Sequence, residues 1–212
     1  MNTIIVPLAD AYGSKRDEPD DSPSSLFASA IKTCIDSFKC DKSDYHVNFI
    51  KEKSKHDEDH DTSRTYLIVN KDAAVDAVRG NQNADATCLV VAYFTVGLSS
   101  IIVDERRLTK KKAKKVGSYH YSRDGSIGCY AIGEICRSDA YSSSDMPGEV
   151  ILGLCVDMLS EAQNIVGGRL VLVDSKECVF KALYEPFGFK ELYVENAEKI
   201  EGVPLITSYY RL

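Results

Sequence analysis

Three groups of residues carry side chains or backbone able to do chemistry. The first is the turn Ser142-Ser143-Ser144-Asp145-Met146-Pro147-Gly148, followed by Glu149, where a polar segment opens a helix straight after a strand. Backbone N–H groups at such a helix start point toward an anion, and the helix dipole adds partial positive charge. The second is the end of the preceding strand, where Glu134, Ile135, Cys136 and Arg137 bring together a carboxylate, a thiol and a guanidinium. The third is Leu183-Tyr184-Glu185-Pro186-Phe187-Gly188-Phe189, a tyrosine leading an aromatic-glycine-aromatic turn. An anion cradle combined with a proton-donating hydroxyl points to group transfer from a phosphate-bearing carrier.

Each of these residues also has a plainer reading. Tyr184 either donates a proton or packs beneath the Phe187-Gly188-Phe189 turn. Glu134 is a candidate base, but strand side chains alternate between faces, so an exposed or ion-paired glutamate stands beside it. Cys136 has no histidine near it in sequence to activate it, so it reads as a core or pocket thiol. The four histidines form no ligand set. His56 and His60 have i, i+4 spacing, but Lys55-His56-Asp57-Glu58-Asp59-His60-Asp61 lacks an apolar face and reads as a solvated loop, and no metal is expected. The seven cysteines include no C-x-x-C pair, and most sit inside apolar runs, which fits buried thiols in a reducing cytoplasm.

The elements that must position these groups follow from periodicity. Ile4 to Leu8 reads as a first strand, and 10–25 as a polar loop. Leu26, Phe27, Ala30, Ile31, Cys34, Ile35 and Phe38 form one helical stripe, with Ser24 or Ser25 as cap. Tyr45 to Lys51 suggests a short second helix, and 51–63 another polar loop. Thr65 to Val69, Cys88 to Val96, Ile127 to Arg137 and Arg169 to Val173 read as strands, and Ala73 to Asn83 as a connection. The unalternating run Cys88 to Val96 suits a strand covered on both faces. Val150, Ile151, Leu154, Cys155, Met158, Leu159 and Ala162 repeat the helical stripe until Gly167-Gly168 ends it. Lys176 to Phe187 is helical, and Phe189 to Val194 and Ile206 to Arg211 close the chain as strands. The order predicts a mixed α/β fold in one domain spanning 1–212.

At 212 residues and 44% hydrophobic content the composition is that of an ordinary globular protein. No apolar run approaches the roughly 20 residues that span a bilayer, and the first residues do not read as a secretory signal, so a cytoplasmic protein is expected. The formal charge of −6 argues against a general nucleic-acid binder. The exception is Lys110-Lys111-Lys112-Ala113-Lys114-Lys115, in a segment expected to be a short helix: a solvated face, or a docking patch for an anionic partner such as RNA. A homodimer is compatible with the composition.

Gly148-Glu149-Val150-Ile151-Leu152, Gly168-Arg169-Leu170-Val171-Leu172-Val173-Asp174 and the tyrosine motif at 183–189 together resemble the Gcn5-related N-acetyltransferase (GNAT) family. Ser63 to Ile68 and Ala92 to Val96 resemble the earlier strands of a bacterial branch that includes toxin-type acetyltransferases. The resemblance covers roughly Thr65 to Leu212. It implies a central mixed, mostly antiparallel sheet flanked by helices, with the fourth and fifth strands splayed around the pantetheine arm of acetyl-CoA. Carried over by position, backbone groups of Ile135 and Arg137 pair with that arm beside Cys136, and Ser142, Ser143, Ser144, Gly148 and Glu149 hold the pyrophosphate. Tyr184 protonates the leaving thiolate, and Glu134 neighbours the acetyl group. The expected activity is acetyl transfer to a primary amine of unknown identity. The toxin form, acting on aminoacyl-tRNA, is one alternative, and a non-catalytic binding module is another. One departure stands out: Ser144 and Met146 occupy family glycine positions, and Asp145 places an acid between them, either near the pyrophosphate or capping its own helix.

Overall fold

The computed structural model describes residues 1–12, 22–79, 88–102, 126–192, 199–200 and 203–212. The lysine run at 110–115 and most of the 10–25 segment lie outside them. The strands are β1 (Thr3–Pro7), β2 (Ser63–Asn70), β3 (Val90–Ile102), β4 (Ser126–Arg137), β5 (Leu170–Ser175), β6 (Lys190–Glu191), β7 (Lys199–Ile200), β8 (Val203–Pro204) and β9 (Ile206–Arg211). Seven of them form one sheet in the order β1-β2-β3-β4-β5-β9-β6, and β7 pairs with β8. β1 runs antiparallel to β2, and β9 runs antiparallel to both β5 and β6. β4 and β5 are parallel, in register at Tyr130–Val171 and Ala131–Leu172. That ladder is only two residues long, although β4 continues through Gly133 and β5 through Ser175, so the two strands part as the resemblance implies.

The chain divides into two compact units: Met1–Thr95 with Glu134–Leu152, and Val96–Gly133 with Gly153–Leu212. In the first, Leu8, Ile31, Ile35, Ile50, Leu67 and Tyr93 are buried in one apolar cluster that also takes in Cys40 and Cys136. In the second, Ile101, Ile127, Cys129, Leu170, Leu172 and Leu192 pack together with Tyr209 against them.

Several boundaries differ from those read in the sequence. The first long helix is Pro23–Asp36, not Leu26 onward, because Ser22 is the cap: its Oγ accepts from the Ser25 amide at 3.1 Å, and Pro23 takes the first turn, where its missing N–H costs nothing. The 51–63 segment is not a loop. Helix Asp44–Asn48 continues through a π turn, Phe49–Lys53, into helix Ser54–Asp59. Ile50 and Ser54 are fully buried there, and the Ser54 hydroxyl donates to the Ile50 carbonyl at 2.8 Å. Lys55 and Asp59 pair at 3.8 Å on the outer face, while the Glu58 side chain is tucked in and pairs with Arg64 at 3.1 Å; a charged stretch with one buried edge is still a helix. The expected connection at 73–83 begins as helix Lys71–Val78, capped by Asn70 Oδ1 on the amides of Asp72 and Ala73. The expected strand Phe189 to Val194 is short, Lys190–Glu191 among the described residues.

Candidate active site

The turn at the head of helix Gly148–Val166 is built by its own side chains. Asp145 Oδ2 accepts from the Ser142 amide at 2.8 Å and from the Ser142 hydroxyl at 2.5 Å, and the Ser142 and Ser144 hydroxyls lie 2.7 Å apart. Asp145 therefore caps the Ser142 turn and not the helix, whose first acceptor is the Pro147 carbonyl, bonded by the Val150 and Ile151 amides at 3.0 and 3.3 Å. Hydrogen bonds from Ser142 hold the Asp145 carboxyl below its usual range, with the Arg137 charge a smaller cause. Arg137 stitches the turn together, donating from Nε to the Tyr141 carbonyl at 3.1 Å and from Nη1 to the Met146 carbonyl at 2.9 Å. Tyr141 in turn donates to the Cys88 carbonyl and accepts from Asn70 Nδ2 at 3.1 Å.

This construction decides what the turn can hold. The Met146 side chain is buried, so its bulk does not stand over the turn; Ser142, Ser143, Ser144 and Asp145 form the exposed side. The amides of Asp145 and Met146 are spent on the Ser142 carbonyl. Gly148 and Glu149 occupy the first two helical positions, ahead of any intrahelical acceptor, so their amides suit an anion. The free amides of Gly148 and Glu149 fit a phosphate at the helix start, while the Asp145 carboxylate, held ionised by its Ser142 hydrogen bonds, sets like charge beside it.

Glu134, at the end of β4 in the same unit, is joined to residues absent from the candidate set. Its Oε2 lies 3.1 Å from His46 Nε2, with side-chain exposures of 13% for Glu134 and 29% for His46. Tyr45 stands near the same carboxylate, and burial, with the Glu134 charge as the next cause, pushes its phenol up to about 12. The Glu134 amide donates to Thr95 Oγ1 at 2.8 Å, a local departure from ladder pairing of the kind a bulge produces. Ile135 is half-buried, and the Cys136 side chain turns into the apolar cluster, where burial and the neighbouring Cys40 push its thiol well up. A thiol held protonated in a core is no nucleophile.

His46 is anchored at every polar atom. Nδ1 lies 2.6 Å from Ser43 Oγ, the cap of helix Asp44–Asn48, and the His46 carbonyl accepts from Tyr93 Oη at 2.7 Å. Tyr93 is fully buried and stacks on Phe49. Linear reading missed His46 and Tyr45 because the histidines were weighed only as metal ligands. The available signal was Ser43 as a helix cap, which fixes the face on which the next residues stand. Among the described residues no cluster fit to hold a metal occurs.

In the other unit, Tyr184 ends a π turn, Phe180–Tyr184, inside the helical stretch Glu177–Phe187. It is 5% exposed, its ring meets Phe189 edge-on at 5.3 Å, and its carbonyl accepts from the Phe189 amide at 3.0 Å. Gly188 supplies the left-handed residue, φ 113°, that turns the chain out of the helix.

No protein-family model matches the sequence, and no curated protein matches it. Solved structures do. A tyrosine-to-phenylalanine mutant of KacT aligns at 18% identity with a TM-score of 0.64, over 100% of this chain and 95% of that one. AtaT complexed with acetyl-methionyl-tRNA aligns at 16% identity and 0.59, over 97% and 94%. AtaTR bound with AcCoA aligns at 13% identity and 0.56, over 99% and 92%. The fold shared with these proteins is the GNAT fold, over nearly the whole length of each chain. No described helix is long and apolar enough to cross a membrane.

Proposed function

We propose that this chain is an N-acetyltransferase that moves an acetyl group from acetyl-CoA to a primary amine, acting in the cytoplasm. The observation that carries the reading is the prepared helix start at Gly148 and Glu149, on a fold shared end to end with a structure bound to AcCoA. Ser142, Ser143 and Ser144 are the exposed hydroxyls beside it, and Ile135 and Arg137 belong to the strand that leads into it.

The chemistry assigns each side chain a role. Glu134 takes a proton from the acceptor ammonium, freeing the nitrogen lone pair. That nitrogen bonds the thioester carbon, the carbon–sulfur bond breaks, and sulfur leaves with the electron pair. Tyr184 gives its hydroxyl proton to that sulfur and regains one from solvent, and the new amide sheds its extra proton to solvent. The net products are the acetamide, the CoA thiol and one proton.

A second reading has a specific observation behind it: the acceptor is the amino group of an aminoacyl-tRNA, since the AtaT neighbour is complexed with acetyl-methionyl-tRNA. One experiment separates the classes. Acetyl-CoA is titrated in a thermal-shift assay, and CoA-thiol release is then followed with charged tRNA and with small amines as acceptors. Ligand that binds only the folded state raises the melting temperature by mass action. A shift with thiol release supports the enzyme; release with charged tRNA alone selects the second reading. No shift at millimolar acetyl-CoA leaves a non-catalytic binding module.

A further inference from the structure

We infer that His46 is a positioning residue for acetyl transfer: it orients the Glu134 carboxylate and carries away the proton that Glu134 takes from the acceptor ammonium. This role rests on the acetyltransferase reading and extends it.

The argument begins with what a lone carboxylate lacks. Glu134 is largely buried, and a buried carboxyl that accepts a proton is neutral until another group removes it. His46 is the more exposed partner, 3.1 Å away at Nε2, and its second nitrogen lies 2.6 Å from Ser43 Oγ. An imidazole that receives a proton at one nitrogen can release another from the opposite one. The imidazole enters the step with its proton on Nδ1 and with Nε2 free; the path is ammonium to Glu134, Glu134 to His46 Nε2, and Nδ1 through the Ser43 hydroxyl to water, after which the ring, now protonated at Nε2, regains its starting tautomer by exchange with water, with no net charge left behind.

The surroundings favour this use over a simple ion pair. Tyr45 and His46 are consecutive on one helix, and His46 Nε2 holds one oxygen of the carboxylate, Oε2, at 3.1 Å. Their rings meet edge-on at 5.7 Å and 86°, which fixes the imidazole plane. The helix cannot slide, because Tyr93 holds the His46 carbonyl from the core. The titratable groups around the pair are Tyr45, Asp57, Tyr93, Cys40 and Cys136. Burial raises Tyr45 and Tyr93 and the Cys136 thiol, so those three stay protonated through the neutral range. The acceptor class that needs such a path is an amine that is charged at neutral pH.

The test compares two acceptors across pH, methionyl-tRNA or an alkylamine on one side and hydroxylamine, uncharged at neutral pH, on the other. Wild type, His46→Ala and His46→Gln are measured for kcat/KM and for the acetyl-CoA thermal shift. Both variants are expected to lose about tenfold or more on the ammonium acceptor, with the acid limb of the profile moved upward, while hydroxylamine changes by less than roughly twofold and the thermal shift is kept. His46→Gln retains a hydrogen-bond donor but carries no proton, so rescue by glutamine overturns the relay. Equal losses on both acceptors, or a lowered melting temperature with unchanged profiles, make His46 a fastener of helix to strand and overturn the proposal. If wild type releases no thiol with either acceptor, the acetyltransferase reading itself falls.

Discussion

At the scale of single residues, partners decide what a substitution costs. Tyr184→Phe removes one hydroxyl from a ring whose packing on Phe189 remains, so turnover is expected to fall about 10²-fold while coenzyme affinity holds. Full activity in that variant would return Tyr184 to a packing role. Ser208 is the reverse case. It is fully buried, and its hydroxyl has no hydrogen-bond partner among the described residues. Ser208→Ala removes an unsatisfied group and is expected to raise unfolding free energy by up to about 1 kcal/mol in urea melts; a loss of that size would mean the hydroxyl is satisfied in solution. Asp145 gives a pH signature. Its carboxyl is held below the usual range by Ser142, so its contribution to stability is present above the unfolded value of about 3.9 and is lost as pH falls through the lower folded value. The stability difference between wild type and Asp145→Asn should be flat at neutral pH and vanish in acid.

At the scale of elements, the exit from helix Gly148–Val166 is the most demanding joint. Gly167 and Gly168 have φ of 79° and 105°, and a Cβ on Gly168 would sit 2.8 Å from the Tyr130 ring, whose hydroxyl is bonded to the Gly167 carbonyl. Gly168→Ala is expected to cost about 1–3 kcal/mol and lower the melting temperature; a neutral result would show that the joint can move. This glycine pair was legible in sequence as a helix stop, as were the apolar stripes and the long strands, because periodicity and local stereochemistry act over a few residues. The helix at 44–59 was legible only over Tyr45 to Lys51; its continuation to Asp59 was not, since its charges concealed the buried edge carried by Ile50 and Ser54. Ser142, Ser143, Ser144 and Gly148 were read as candidates from the strand–turn–helix order, which the structure has at that place. The Glu134–His46 pair was out of reach, because its partners meet only when the sheet folds; Ser43 as a cap could set the face on which His46 stands, but not name the carboxylate opposite it.

At the scale of the whole molecule, charge sets how a polyanion would be met. The chain carries a net −6, which opposes approach of RNA except where positive charge is concentrated, at Lys110, Lys111, Lys112, Lys114 and Lys115. On the aminoacyl-tRNA reading, binding of charged tRNA should fall steeply with salt, because each phosphate contact releases counterions. Changing Lys110, Lys111 and Lys112 to glutamate should flatten that dependence and leave the acetyl-CoA thermal shift in place. An unchanged salt slope would place the contact elsewhere.

The two π turns, Phe49–Lys53 and Phe180–Tyr184, reach beyond packing. A π turn holds one residue more than an α turn requires, so each is a helix with a one-residue insertion. The wider turn absorbs the extra residue, so the helix on either side keeps its phase, and deleting that residue would restore a regular helix with its downstream faces where they were. The first insertion comes after His46 and the second ends at Tyr184, so each of these residues stands beside a turn that takes up one residue locally. Such a turn is the place where the segment can gain or lose one residue while the packing on either side of it is left in place.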